Sequence, residues 1–259
     1  MTTEHADELV HLRLADGVAS ITLDSPRNRN ALSAQLRREL LAHLDTAIAE
    51  QDARAIVLTH TGPVFCAGID LKESRGARAD DQGVNEVPAI LQRIWTAPTP
   101  VIARLTGPAR AGGVGLVAAC DLAVAAEEVN FAFTEVRIGV VPAVISVPLL
   151  PRVQPTALHE LFLTGENFDA RRAAAIGLIT KAVPASQLDN EVSRYTDMLR
   201  LAAPGALAAT KQLLRGHSAA TMTADFTAML TLSAARFASE EGQEGIRAFS
   251  EKRPPAWAV

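Results

Sequence analysis

Apolar positions along this chain switch between two periods. Val10, Leu12 and Leu14 alternate with polar residues, as in a half-buried strand. Asp16-Gly17 marks a turn, and Val18–Leu23 returns as a second strand. Residues 24–30 read as a loop carrying Pro26, Arg27 and Arg29. Ser33 suits a helix cap, and Leu36, Leu40, Leu44 and Ile48 recur at spacing four behind it. Residues 55–59 and Val101–Leu105 are compact apolar runs, as expected of buried strands. Residues 61–68 are turn-rich. Residues 75–88 are charged, contain glycine and follow no clean period, which predicts a mobile loop or frayed helix. Residues 90–95 read as a helix that Pro98 and Pro100 end. Leu122–Ala126 and residues 129–133 read as strands, 134–142 as irregular and 143–150 as a helix. From there the pattern is almost wholly helical, over 157–163, 170–176, 188–202, 207–214, 222–238 and 242–252. Asp169 caps the second of these and Gly177 ends it.

One junction breaks the pattern. The run Gly107-Pro108-Ala109-Arg110-Ala111-Gly112-Gly113-Val114-Gly115 joins the strand Val101–Leu105 to a small apolar helix at 116–119. Glycines there let the backbone turn sharply and approach a ligand. A helix start also offers unpaired N–H groups to a phosphate or an oxyanion. The same glycines would equally suit a helix packed tightly on a sheet. The run lacks the G-x-G-x-x-G spacing of a dinucleotide site.

The chain has 259 residues, 48% of them hydrophobic, enough for one large domain with a sizeable core. A net charge of −4 gives no footprint for nucleic acid. Cys66 and Cys120 imply no disulfide framework and fit a reducing cytoplasm. The first residues are polar and acidic, unlike a targeting peptide, and no apolar run reaches membrane-spanning length. A cytoplasmic protein without membrane or nucleic-acid partners is expected. The six histidines form no metal-ligand spacing, so no metal is expected. Glu135 sits among Phe131, Phe133, Val136 and Ile138, where burial would raise its pKa toward the working pH. A salt bridge to Arg137 or Arg110 would instead make it structural.

Four segments together resemble the enoyl-CoA hydratase/isomerase (crotonase) family. Ser25-Pro26-Arg27-Asn28-Arg29-Asn30-Ala31-Leu32 is similar to the family's R-P-x-x-x-N-A-L. Phe65-Cys66-Ala67-Gly68-Ile69-Asp70-Leu71 is similar to F-x-A-G-x-D-L/I. The glycine run through Asp121 resembles N-G-x-A-x-G-G-G-x-E-L-A-x-x-C-D. Residues 131–142 supply the fourth segment, and Phe249-Ser250-Glu251-Lys252-Arg253 resembles the family's last helix. The likeness runs from about residue 9 to the end, and order and spacing make it specific.

The resemblance implies an α/β fold, a spiral of repeated ββα units over residues 1–196 and a helical trimerisation region over 197–259. It implies a homotrimer or hexamer, an acyl-CoA substrate, and coenzyme A present as part of that substrate rather than as a prosthetic group. It gives the backbone N–H groups of Ile69 and Gly112 the role of an oxyanion hole, and Glu135 that of general acid–base. It puts Arg27, Arg29, Ala67, Asp70, Leu71 and Lys252 against the CoA, with Lys252 reaching a neighbour's CoA as one reading. Gly113, Gly115 and Pro142 are expected in the substrate pocket. Asp121 is expected to hold backbone amides, and the cysteines to be small buried residues. One departure stands out: the family's first catalytic glutamate is Gly115 here. The motifs favour a hydratase. A single carboxylate favours a Δ3,Δ2-enoyl-CoA isomerase, and a non-catalytic CoA-binding protein is the alternative of another class. Leu207, Leu213, Leu214, Phe226, Leu230 and Phe237 give the last third more apolar surface than a lid needs.

Overall fold

The computed structural model describes residues 8–76, 78 and 82–258, with the side chains of 216–220 left aside. Strands β1 (Val10–Ala15) and β2 (Val18–Leu23) form the expected hairpin, and helix α1 (Ala34–Ala49) follows. Ser33 Oγ accepts from the Leu36 N–H, as its cap position predicts. Leu36, Leu40 and Leu44 are fully buried. Next come β3 (Ala55–His60), the short helix α2 (Leu71–Ser74), α3 (Val87–Thr96) and β4 (Val101–Leu105). The glycine run forms β5 (Ala109–Arg110) and α4 (Gly112–Ala119), which starts at Gly112, four residues before the apolar run. Then come β6 (Leu122–Ala126), β7 (Asn130–Ala132), a 3-10 turn Glu135–Ile138 and α5 (Ala143–Leu149). The chain continues through α6 (Pro155–Thr164), β8 (Phe168–Asp169), α7 (Ala170–Ala175), β9 (Lys181–Val183) and α8 (Leu188–Arg200). It closes with α9 (Pro204–Ala238) and α10 (Glu240–Ser250).

A six-stranded sheet runs β1-β2-β3-β4-β6-β9, parallel except for the first hairpin. A second sheet, β5-β7-β8, stands apart from it. Repeated strand and helix units wind between the two, and the core between them holds Phe65, Phe131 and Phe133 with no exposure. Phe133 meets Phe162 edge-on at 4.7 Å and Phe168 at 5.7 Å.

Three sequence expectations change. The helices expected at 207–214 and 222–238 are one helix, α9. A glycine such as Gly216 costs about 1 kcal/mol in a helix interior, less than a proline would, and packing of α9 on α3 and α5 offsets it. Within the segment read as a mobile loop or frayed helix, Gly83–Glu86 is a 3-10 turn that leads into α3; residues 77 and 79–81 lie outside the described residues. Strands β5, β8 and β9 have two or three residues each, too short to show a period.

Candidate active site

Two short parallel contacts bring the first three motif segments together in space. The Phe65 N–H donates to Pro108 O (3.0 Å) and the Arg110 N–H to Cys66 O (3.0 Å), around the Cys66–Ala109 bridge. The Leu32 N–H donates to Gly68 O (2.7 Å), which ties in the first motif. Gly68 turns the chain at φ +88°, a left-handed conformation that favours glycine, and Ile69 follows it. A Cβ on Gly112 would lie 3.8 Å from Ile69 N, so the two backbone N–H groups stand side by side. Gly112 opens α4, where an N–H has no partner within the helix. Among the described residues no acceptor meets either N–H. Just before them, Ala111 sits at φ 47°, ψ −119°, a conformation L residues seldom adopt, and strain of this kind clusters at functional sites.

The second sheet delivers the carboxylate. Strands β5 and β7 run parallel, pairing Ala109 with Phe131 and Arg110 with Ala132, and the Ala111 N–H donates to Ala132 O (3.1 Å). Both strands therefore end at the same place, and Gly112 and Glu135 leave from that common end. Glu135 is 7% exposed, and its Oε2 has no hydrogen-bond partner among the described residues. Burial pushes its pKa up to about 7. Neither arginine pairs with it. Arg110 donates to Asn130 O (2.8 Å), and Arg137 Nε to Thr164 O (3.1 Å).

These groups face a cavity of about 830 Å³. Arg27, Arg29, Ala67, Ile69, Asp70, Leu71, Gly112, Glu135, Pro142 and Lys252 all line it, as the sequence predicts. Asn30 fixes its rim: Oδ1 accepts from the Ser25 N–H (2.6 Å) and Nδ2 donates to Thr61 O and Val64 O. Asp70 lines the cavity and also caps α2 by accepting from the Lys72 N–H (3.0 Å). Lys252 stands at the rim of its own chain's cavity.

Gly113 and Gly115 are buried away from the cavity lining, against expectation. A Cβ on Gly113 would lie 2.5 Å from Cys66 O, so this glycine lets α4 pack on the second motif. A Cβ on Gly115 would lie 2.6 Å from Ile145 Cγ2. Ile145, from α5, lines the cavity beside the place where the family glutamate would grow. The sequence carried no sign of this, because the two residues are thirty apart and meet only through helix packing. Val84, Val87 and Ser233 also line the cavity and were not singled out in the sequence; Phe237, expected among the apolar surface of the last third, lines it too.

Asp121 accepts from the Val101 N–H (2.7 Å), as expected, and also pairs with Lys211 Nζ (2.7 Å) and Arg215 Nη2 (2.8 Å) of α9. Cys66 and Cys120 are fully buried and burial pushes both thiols up to about 12, which suits packing rather than nucleophilic chemistry. Among the described residues no cluster of His, Cys, Asp or Glu could hold a metal ion, and no helix is long and apolar enough to cross a membrane.

A parallel-sheet spiral whose strand ends present two free amides and one buried carboxylate to a deep cavity defines a class of site built for oxyanion stabilisation and proton transfer. The family model for enoyl-CoA hydratase/isomerase matches residues 13–259, and the chain belongs to that family. It is similar to a solved enoyl-CoA hydratase from Mycobacterium avium, at 41% identity and a TM-score of 0.89 over 98% of this chain and 100% of that one. It is 34% identical to enoyl-CoA hydratase domain-containing protein 3, mitochondrial, of Rattus norvegicus, over 98% of this chain and 86% of the relative. A methylmalonyl-CoA decarboxylase, solved with 2-nitronate-propionyl-CoA, is 27% identical with a TM-score of 0.85, over 98% of this chain and 99% of that one.

Proposed function

We propose that the chain binds an acyl-CoA thioester and moves a proton next to its carbonyl, with Glu135 as the one general acid–base. The thioester oxygen sits between the Ile69 and Gly112 N–H groups. Removing a proton from the α-carbon puts negative charge on that oxygen, and the two pre-placed donors stabilise the enolate. One such donor is typically worth roughly 3–4 kcal/mol. Arg27, Arg29, Ala67, Asp70, Leu71 and Lys252 hold the CoA, which enters as part of the substrate.

The net reaction the geometry favours is a shift of the double bond from β,γ to α,β. Glu135 lifts the α-proton and the resulting carboxylic acid returns it to the γ-carbon, so no second group is consumed. The supporting observation is Ile145, which fills the place beside Gly115 where a water-holding carboxylate would stand. Hydration is the second reading, favoured by the names of the similar proteins above. Turnover of matched β,γ- and α,β-enoyl-CoAs separates the two. Conversion of the β,γ compound without build-up of the β-hydroxy product is expected. Faster formation of the β-hydroxyacyl-CoA overturns the isomerase reading, and no turnover of either overturns catalysis.

A further inference from the structure

Val84, Val87, Val144, Ile145 and Phe237 give the cavity apolar lining, to which Ser233 adds a polar side chain. Ser233 lies on α9 one helical turn before Phe237, on the same face, and both line the cavity. Helix α9 packs on α3 and α5, the elements that carry the cavity-lining residues Val87 and Ile145. It is 2% exposed.

A serine inside a helix ordinarily donates its hydroxyl to the carbonyl four residues back. Two neighbours on the same helix do so: Thr227 Oγ1 donates to Thr223 O (2.9 Å), and Thr231 Oγ1 to Thr227 O (3.1 Å). Ser233 does not. Among the described residues its hydroxyl makes no hydrogen bond, although the residue is almost completely buried. The hydroxyl, on a residue that lines the cavity, keeps its hydrogen-bonding capacity for whatever occupies that cavity.

We infer that Ser233 hydrogen-bonds an uncharged oxygen on the acyl group, so that this cavity selects acyl chains bearing a hydroxyl or carbonyl over plain hydrocarbon chains. A carboxylate fits less well. A buried anion needs a cation: of the arginines that line the cavity, Arg27 and Arg29 are assigned above to the CoA, and Arg110 is held by Asn130, Arg137 by Thr164, and Arg253 by Glu244 and Glu251. The inference rests on the thioester reading above but not on which reaction follows.

Binding of unreactive substrates tests it. Saturated straight-chain acyl-CoAs of increasing length, each with and without a terminal hydroxyl, are titrated calorimetrically into wild type and Ser233→Ala. At one chain length wild type should prefer the hydroxylated compound by roughly tenfold, the weight of one hydrogen bond in a buried site. Ser233→Ala should abolish that preference and tighten binding of the plain chain. Alanine is a better helix former than serine, so the variant keeps its fold. A wild type without preference at any length, or a preference that Ser233→Ala leaves intact, overturns the inference. Failure of every acyl-CoA to bind overturns the thioester reading and this inference with it.

Discussion

Glu135 holds its proton at pH values where an exposed glutamate has lost it, because its buried site offers no partner to the charge. As a base it must be ionised, so kcat/KM should rise with pH through about 7 and level off above it. Glu135→Gln should lower kcat on the order of 10²–10⁴-fold with the fold intact. The same residue affects stability. Its folded value, about 7, lies above its ordinary value of 4.5, so the folded chain binds this proton more tightly than the unfolded one. Below pH 4.5 both states carry it and there is no penalty. As pH rises to 7 the penalty of burying the charge develops, on the order of a few kcal/mol, and above 7 it is complete. Glu135→Gln should therefore melt at a higher temperature than wild type above pH 7, with the two curves converging toward pH 4.5. A variant of undiminished turnover and unchanged melting would make Glu135 structural.

At the scale of elements, two contacts decide how the site is built. Helices α4 and α5 touch through Gly115 and Ile145, leaving no room for even a Cβ on the glycine. Gly115→Glu alone should destabilise the chain by about 1–3 kcal/mol through overpacking, and should not raise hydration of crotonyl-CoA. Combined with Ile145→Ala it should regain stability and gain hydration activity. If the single variant already hydrates faster, Ile145 yields easily and the site is vacant rather than filled. The second contact ties α9 to the sheet. Asp121 receives Lys211 and Arg215, which also donate to the carbonyls of Ile94 (3.3 Å) and Trp95 (2.9 Å) at the end of α3. The Arg215 guanidinium stacks on the Trp95 ring at 4.0 Å. Asp121→Asn removes the carboxylate that faces two mostly buried cations and should cost roughly 3–5 kcal/mol, read as a lower urea midpoint. Stability equal to wild type would mean that apolar packing alone seats α9.

The whole molecule leaves apolar surface in its last third uncovered. Phe226 and Phe237 are buried within the chain, but Leu213 and Leu214 are 79% and 78% exposed and Leu201 is 90% exposed. We propose on this ground, together with the family resemblance, that residues 197–259 form an assembly region beside a core over residues 1–196. Light scattering at micromolar concentration should give the mass of three or six chains. Replacing Leu213 and Leu214 together by aspartate should lower it. A monomer in wild type would sink the assembly.

Much of the molecule was legible in the sequence because its determinants are local. The period of α1, the caps at Ser33 and Asp169, and the parallel run of apolar strands follow from neighbours along the chain. The motifs also pointed to the candidate site: Ile69, Gly112 and Glu135 line one cavity, where the family resemblance put them. What the tertiary structure decided is everything that depends on helices meeting. The sequence presented Gly115 as a lost glutamate, and only the packing of α5 placed Ile145 against it. Gly113 looked like a pocket residue until Cys66 O filled the space beside it. Ser233 carried no motif at all, since its meaning lies in a hydrogen bond it does not make and a cavity whose lining includes Val87 and Ile145, more than eighty positions away. Periodicity records which face of an element is buried, but not which atoms of another element it will meet there.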